Sequence, residues 1–225
     1  MKKYLIIVAG GKGARMNQAV PKQFMLLGGR PVLFHTLEAF YEADPSSMII
    51  LVLPEDQKTY WKELCDSFQF SIPHEIVSGG QTRFHSVKNG LEKVPPDVLV
   101  AVHDGVRPLI SKELIESAYA AAEKDKAAYP VIPVTDSIRK CTGLSTSVSE
   151  DRSLYRLVQT PQVFHSNILK EAYKQEYREA FTDDISVVEF AGSCTPVMIE
   201  GRKDNIKITT SSDLVVAEAL IQCRT

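Results

Sequence analysis

The segment Ala9-Gly-Gly-Lys-Gly-Ala-Arg-Met-Asn-Gln-Ala-Val-Pro-Lys22 joins three glycines to Lys12, Arg15 and Lys22 and contains no acid. Glycines that follow a strand let backbone N–H groups approach an anion closely. With the added cations, the donor density suits a ligand of about four negative charges, such as a triphosphate. A solvated turn with incidental charge is the plainer alternative. Two familiar loops do not fit. The dinucleotide pattern needs a small residue where Met16 stands and an acid about twenty positions on, and a P-loop needs Ser or Thr where Gly13 follows Lys12.

Further polar clusters are spaced along the chain. Ser78-Gly79-Gly80-Gln81-Thr82-Arg83 follows the strand-like Glu75–Val77 and precedes Ser86. His103-Asp104-Gly105-Val106-Arg107-Pro108 closes an apolar run that starts at Val98. Gln159-Thr160-Pro161-Gln162, Phe181-Thr182-Asp183-Asp184 and Asp204-Asn205-Ile206-Lys207-Ile208-Thr209 complete the set. A lone His103 reads as a satisfied structural histidine. Asp104 beside Arg107 suits metal or hydroxyl contact as well as it suits a plain ion pair. One of the acids at 183 and 184 reads as a helix N-cap.

These clusters need elements to hold them. Leu5–Val8, Met48–Leu53, Val98–Val102 and Tyr129–Val134 are nearly continuous apolar runs, the pattern of strands buried on both faces. Between them, Pro31 opens a helix that runs through Phe40, Ser111 caps another, and Ser211 or Ser212 caps the last. Strands alternating with helices predict an α/β fold with a mainly parallel sheet covered on both sides. Such sheets bind ligands at the carboxyl ends of their strands. The polar stretch Thr142–Arg152 breaks the rhythm. It reads either as a surface loop or as a protruding hairpin, flanked by Ile138–Cys141 and Tyr155–Val158, that packs on a partner subunit.

The chain has 225 residues, 44% hydrophobic and 24% charged, which suits one large domain, with an arm. Lys and Arg number 26 against 28 acids, for a net charge of −2. That balance argues against a general nucleic-acid or membrane-surface binder, and it leaves room for an anionic small molecule in a locally basic site. No apolar stretch approaches the roughly 20 residues of a membrane helix, and the opening Met1-Lys2-Lys3 leads into glycines rather than a cleavage site. Cys65, Cys141, Cys194 and Cys223 lack the paired spacing of zinc or redox sites, as expected of reduced thiols in a cytoplasmic protein.

Taken together the motifs resemble one family. Ala9–Met16 with Pro21-Lys22-Gln23 resembles the opening of the sugar-nucleotide pyrophosphorylases and cytidylyltransferases. Gly79-Gly80-x-x-Arg83-x-x-Ser86, His103-Asp104-x-x-Arg107-Pro108, Asp151-Arg152, Gln159–Gln162, Thr182-Asp183-Asp184-x-Ser186 and Asn205–Thr209 narrow the resemblance. The chain is similar, from about residue 3 to 222, to the 2-C-methyl-D-erythritol 4-phosphate cytidylyltransferases of the non-mevalonate isoprenoid route. The ribitol 5-phosphate cytidylyltransferases, which share the Asp-x-Val-Arg-Pro form, are the alternative. Gly105-Val106 stand where the family commonly has two alanines, Ser137 where it has threonine, and Gly10 for a frequent alanine.

The resemblance implies a Rossmann-like three-layer α/β/α nucleotidyltransferase fold and a single domain over 1–225. It also implies a homodimer joined by an arm at about 137–158, and a magnesium-dependent reaction of CTP with a sugar-alcohol phosphate. Ala9, Gly10, Gly11, Gly13, Gly79, Gly80, Gln81, Arg83 and Ser86 would bind CTP, residues 79–81 reading the cytosine edge and Arg83 and Ser86 lying near base and ribose. Arg15 and Lys22 would stabilise charge on the triphosphate. Arg152, from a second subunit's arm, and Lys207 would hold the substrate phosphate. Asp104, Arg107, Ser137, Thr160 and Thr182 would line the sugar-alcohol pocket. Magnesium would sit mostly on the CTP phosphates, with Asp104 as the candidate protein ligand. A nicotinamide oxidoreductase is disfavoured by Met16, and a purely regulatory nucleotide module by Arg152 and Lys207.

Overall fold

A computed structural model describes residues 1–10 and 20–223. In chain order the elements are β1 (Lys3–Val8), β2 (Leu26–Leu27), β3 (Arg30–Pro31), α1 (Val32–Ala43), β4 (Met48–Leu53), α2 (Lys58–Ser67), β5 (Glu75–Ser78), α3 (Arg83–Leu91), β6 (Leu99–Asp104), α4 (Lys112–Asp125) and β7 (Ala127–Pro133). They continue with β8 (Arg139–Cys141), β9 (Ser147–Ser149), β10 (Arg156–Val158), β11 (Gln162–His165), α5 (Ser166–Ala172), α6 (Asp184–Ala191), β12 (Val197–Glu200) and α7 (Ser211–Gln222).

The main sheet has the order β10-β7-β11-β6-β1-β4-β5, with β12 also on β7. Strands β6, β1, β4 and β5 run parallel. Strand β11 enters antiparallel between β6 and β7. Alternate residues of a strand face opposite sides, so Leu5 and Ile7 join a core under α1, α2 and α4, while Ile6 joins one under α3, α5 and α6. Both faces are covered, as the continuous apolar runs predicted. A third cluster seats Ala217 of α7 on Leu27, Val32 and Ile208.

The parallel register places the site. Val8 pairs with Val52 and with Asp104, and Leu53 pairs with Ser78. The carboxyl ends of four strands therefore finish side by side, and those of β1, β5 and β6 lead into polar segments singled out in the sequence.

Some boundaries differ from expectation. The helix opened by Pro31 runs to Ala43, past Phe40. Ser111 caps α4 by accepting the Leu114 N–H. The last helix is capped by Thr210 rather than by Ser211 or Ser212. Thr210 Oγ1 accepts the Asp213 N–H, and the Asp213 carboxylate accepts the Thr210 N–H at 2.8 Å. A capping box needs an acceptor three residues on, which Thr210 has in Asp213 and Ser211 lacks in Leu214.

The 142–152 stretch forms part of a hairpin. β8 and β9 pair antiparallel, Arg139 opposite Ser149 and Cys141 opposite Ser147. The second strand lies inside the polar stretch itself. Arg156–Val158 instead returns to the main sheet and pairs with Val131–Pro133.

Candidate active site

Two turns wall the first cleft. The Ala9 N–H donates to Val52 O at 3.0 Å and ends β1. Gly11, Gly13 and Arg15 lie outside the described residues. Pro21 leads into a short 3-10 turn, Lys22–Phe24. The Gln23 amide, 1% exposed, donates to Ala9 O at 2.9 Å and to Gln57 Oε1 at 2.7 Å. One buried amide thus ties the outgoing and incoming ends of the glycine segment together and fixes the backbone beside Lys22.

The facing turn is built on β5 and α3. Gly79 N donates to Leu53 O at 2.7 Å. A Cβ on Gly80 would lie 2.3 Å from His85 Cβ, so only glycine permits this approach. Thr82 caps α3 by accepting the His85 N–H. Ser86 Oγ accepts the Gly80 N–H at 3.1 Å and donates to Thr82 O at 3.0 Å. The Ser86 hydroxyl, expected near the ribose, is engaged in shaping the turn that borders the cleft.

The centre of the site is Asp104, at the end of β6. Its carboxylate meets Lys207 Nζ at 2.9 Å, Arg107 Nε at 3.3 Å and Arg83 Nε at 3.6 Å. Burial opposes its ionisation, yet these three cations hold it far below the usual carboxylate range. Arg83 is in turn held by Asp184, Nη2 to Oδ2 at 2.6 Å and Nη1 to Oδ1 at 3.1 Å. Arg107 Nη1 donates to Asn205 O at 2.8 Å, fixing the segment that carries Lys207. Burial lowers the pKa of the Arg107 guanidinium, against the pull of Asp104.

Behind this cluster, Thr160 Oγ1 accepts the Asp104 N–H at 3.1 Å and meets His103 Nδ1 at 3.0 Å. The opposite ring nitrogen, Nε2, faces Arg107 O at 3.2 Å. A chain in which Thr160 donates to Nδ1 and Nε2–H donates to Arg107 O satisfies every group with a neutral ring. Burial drives the His103 pKa down to about 3. His103 is structural, as the sequence suggested.

Arg83, Lys207 and Asp104 form a wall shared by two clefts. The first, about 220 Å³, is bordered by Ala9, Gly10, Lys22, Gly80, Gln81, Arg83, Ser86, Asp104 and Lys207. The second, about 250 Å³, is bordered by Arg83, Asp104, Arg107, Thr160, Thr182 and Lys207. Most of the expected site residues that are described meet here, with Gly79 one residue behind the first cleft. Ser137 and Arg152 border neither cleft of their own chain. Ser137 is exposed where the chain leaves β7 for the arm, and exposed Arg152 donates to Thr135 O.

Both oxygens of Asp104 face cations, a surrounding that suits a counter-ion better than a direct magnesium ligand. Sequence reasoning missed the work of Gln23, Asp184 and Tyr173. Gln23 appeared only within the Pro-Lys-Gln motif. Asp184 adjoins the true N-cap, Asp183, whose capping box with Ser186 confirms that one acid of the pair is a cap.

Two clefts that meet at one charged wall suit the joining of two phosphorylated molecules, and that is the work of the nucleotidyltransferases, a class of α/β enzymes. Comparison with known proteins specifies which. The family described as 2-C-methyl-D-erythritol 4-phosphate cytidylyltransferase matches residues 4–223. A relative of that name from Azobacteroides pseudotrichonymphae is 57% identical over 220 residues, covering 98% of this chain and 99% of its own. Another, from Phocaeicola vulgatus, is 53% identical over 98% of this chain and 100% of its own. The crystal structure of the Thermus thermophilus enzyme of that name superposes with a TM-score of 0.80 at 32% identity, over 99% of this chain and 100% of that one. The chain belongs to the 2-C-methyl-D-erythritol 4-phosphate cytidylyltransferase family.

Proposed function

We propose that the protein transfers the cytidylyl group of CTP to 2-C-methyl-D-erythritol 4-phosphate and releases pyrophosphate, a step in isoprenoid precursor biosynthesis. The carrying observation is that Arg83, Asp104 and Lys207 border both clefts, so groups held in each meet at one wall. The first cleft takes CTP, its base against Gly79, Gly80 and Gln81, and its phosphates toward Lys22 and Arg15. The second takes the acceptor, its phosphate toward Lys207 and its hydroxyls toward Thr160, Thr182 and Arg107.

A phosphate monoester has a second pKa near 6, so near pH 7 it is mostly a dianion and already nucleophilic. Its oxygen attacks the α-phosphorus of CTP. A new P–O bond forms as the bond to the β-phosphate oxygen breaks, and pyrophosphate departs with that electron pair. No proton needs to move, so no general base is required. The obstacle is the repulsion between a dianion and a triphosphate of about four charges. Positioning and cations overcome it. Magnesium would supply further neutralisation while carried on the nucleotide's own oxygens.

The arm supports a homodimer in which Arg152 of one subunit reaches the acceptor phosphate of the other. Leu144, Leu154 and Leu157 are exposed on and beside it. No helix among the described residues is long and apolar enough to cross a membrane, and a cytoplasmic location is part of this reading.

Pyrophosphate release with CTP and magnesium tests the proposal, comparing methylerythritol 4-phosphate with ribitol 5-phosphate. Preferential turnover of the former is expected. Faster turnover of the latter overturns the substrate assignment, and an absence of release with both overturns the reaction.

A further inference from the structure

Asp184 is fully buried at the start of α6, and its carboxylate accepts three side-chain hydrogen bonds. Two come from Arg83. The third comes from Tyr173, just past the end of α5, whose hydroxyl lies 2.6 Å from Oδ1. The Tyr173 ring is 3% exposed and stacks on Phe84 at 4.6 Å, beside Arg83 in the sequence. Asp184 is also fixed through its backbone. Gln162 Oε1 accepts the N–H groups of Asp184 and Ile185, both at 3.0 Å, while the Gln162 amide donates to Asp183 Oδ2 at 3.0 Å.

A bidentate arginine on a buried carboxylate is a rigid pair, because both planar groups are held at two points. Arg83 nevertheless borders both clefts, and its Nε faces Asp104. One N–H of each terminal nitrogen goes to Asp184, which fixes the guanidinium plane and leaves it little freedom to turn and grip a ligand phosphate. What it does is join α3, which carries the first cleft's Gly79–Thr82 turn, to α6, which follows Thr182 and Asp183 in the second.

We infer that Tyr173 and Asp184 are positioning residues for the reaction. They lock Arg83 as a strut that sets the spacing between the nucleotide and acceptor clefts and leaves Lys207 as the cation of the shared wall turned to the acceptor phosphate. The inference deepens the proposed cytidylyl transfer and rests on it for its kinetic consequence. Tyr173 belongs to none of the motifs that carry the family resemblance, and it reaches Asp184 through its packing on Phe84.

The test is Tyr173→Phe, which keeps the ring and its stacking and deletes only the hydroxyl. A hydrogen bond to a charged group is worth about one factor of ten. The variant is therefore expected to raise the KM for the acceptor about tenfold, to change the KM for CTP less, and to melt within a few degrees of wild type. Nitrogen-15 spectra of the Arg83 guanidinium give a readout independent of turnover. Its two terminal nitrogens stay distinct while Asp184 holds them and merge when the grip loosens. A purely structural hydroxyl would lower the melting temperature and leave both KM values and the guanidinium signals alone, and that result overturns the inference. If the wild-type protein releases no pyrophosphate, the reading of the reaction fails instead, and the guanidinium signals still decide whether Tyr173 locks the strut.

Discussion

Lys22 illustrates how a single side chain is made useful by the residues beside it. It follows Pro21, whose fixed φ sets the entry to the turn, and it precedes Gln23, whose buried amide is bonded to Ala9 O and Gln57. Its backbone is thereby fixed on the rim of the first cleft. Lys22→Ala is expected to reduce turnover by about 10²–10³, or ~3–4 kcal/mol, by analogy with loss of one oxyanion donor. Pyrophosphate release measures the loss, and an unchanged thermal midpoint shows that the fold survives. Near-normal turnover would remove Lys22 from the triphosphate. His103 leads to a different kind of prediction. Its pKa is about 3 in the fold and near 6.5 when the chain unfolds. Below pH 6.5 the unfolded state therefore binds a proton that the folded state refuses. Stability from this group is fully present above pH 6.5 and falls as pH drops toward 3, by up to about 1.4 kcal/mol per pH unit. Urea unfolding at pH 7, 6 and 5 should show that slope. A His103 imidazole that titrates near 6.5 by NMR would contradict it.

At the scale of elements, α3 is the piece that converts sheet register into site geometry. Its N-terminus carries Thr82 and Arg83, and its body packs on β1 and β4 through Gly90. A Cβ at Gly90 would come within 2.9 Å of Ile6 Cγ2 and 3.2 Å of Val52 Cγ2. Gly90→Ala should push the helix off the sheet and cost about 1–3 kcal/mol, as overpacking does. Because the same helix carries the Gly80 turn, the KM for CTP should rise with it. Chemical denaturation and steady-state kinetics on one preparation check both. A stabilised variant, as a bare helix-propensity argument predicts, would show that the close approach is not maintained. The elements also mark where the sequence could be read and where it could not. β1, β4 and β6 were legible because each is a continuous apolar run. The start of β7 at Ala127-Ala128 was not, because alanine has no strand preference and its burial against β11 and β12 is a long-range effect. The second strand of the arm was illegible for a similar reason. Ser147-Val148-Ser149 carries one apolar residue, and its pairing with Arg139–Cys141 depends on the turn between them.

For the whole molecule, net charge −2 conceals a local concentration of positive charge. Arg83, Arg107 and Lys207 converge on Asp104, and Lys22 lies on the same cleft. Asp104 and Asp184 offset part of that charge within the site, and the remaining acids lie elsewhere. The arm adds a second property of the whole, since it carries exposed Leu144 and Leu154 together with Arg152, next to exposed Leu157 on β10. In sedimentation the protein should run as a dimer of its 25.0 kDa chain at micromolar concentration. Replacing Leu154 and Leu157 with aspartate should shift it to the monomer and lower turnover together, without lowering the melting temperature of the monomer. A wild-type chain that sediments as an active monomer would assign Arg152 some other place.

The sequence by itself determined the class of fold and singled out the glycine- and cation-rich segments proposed to bind anions, because both follow from local features: apolar periodicity for the strands, glycine and cation spacing for the turns. It also placed the motifs in an order that resembles one family. What the tertiary structure decided is which charges face which. Arg83 was expected beside base and ribose, yet its terminal nitrogens are bound to a carboxylate 101 residues away. Asp104 was a candidate for metal, yet it is the counter-ion of three cations drawn from three separate segments. Those pairings depend on parallel register bringing four strand ends to one edge, and on α6 docking at that edge. Distance in space sets electrostatic energy, and the linear sequence does not encode it locally.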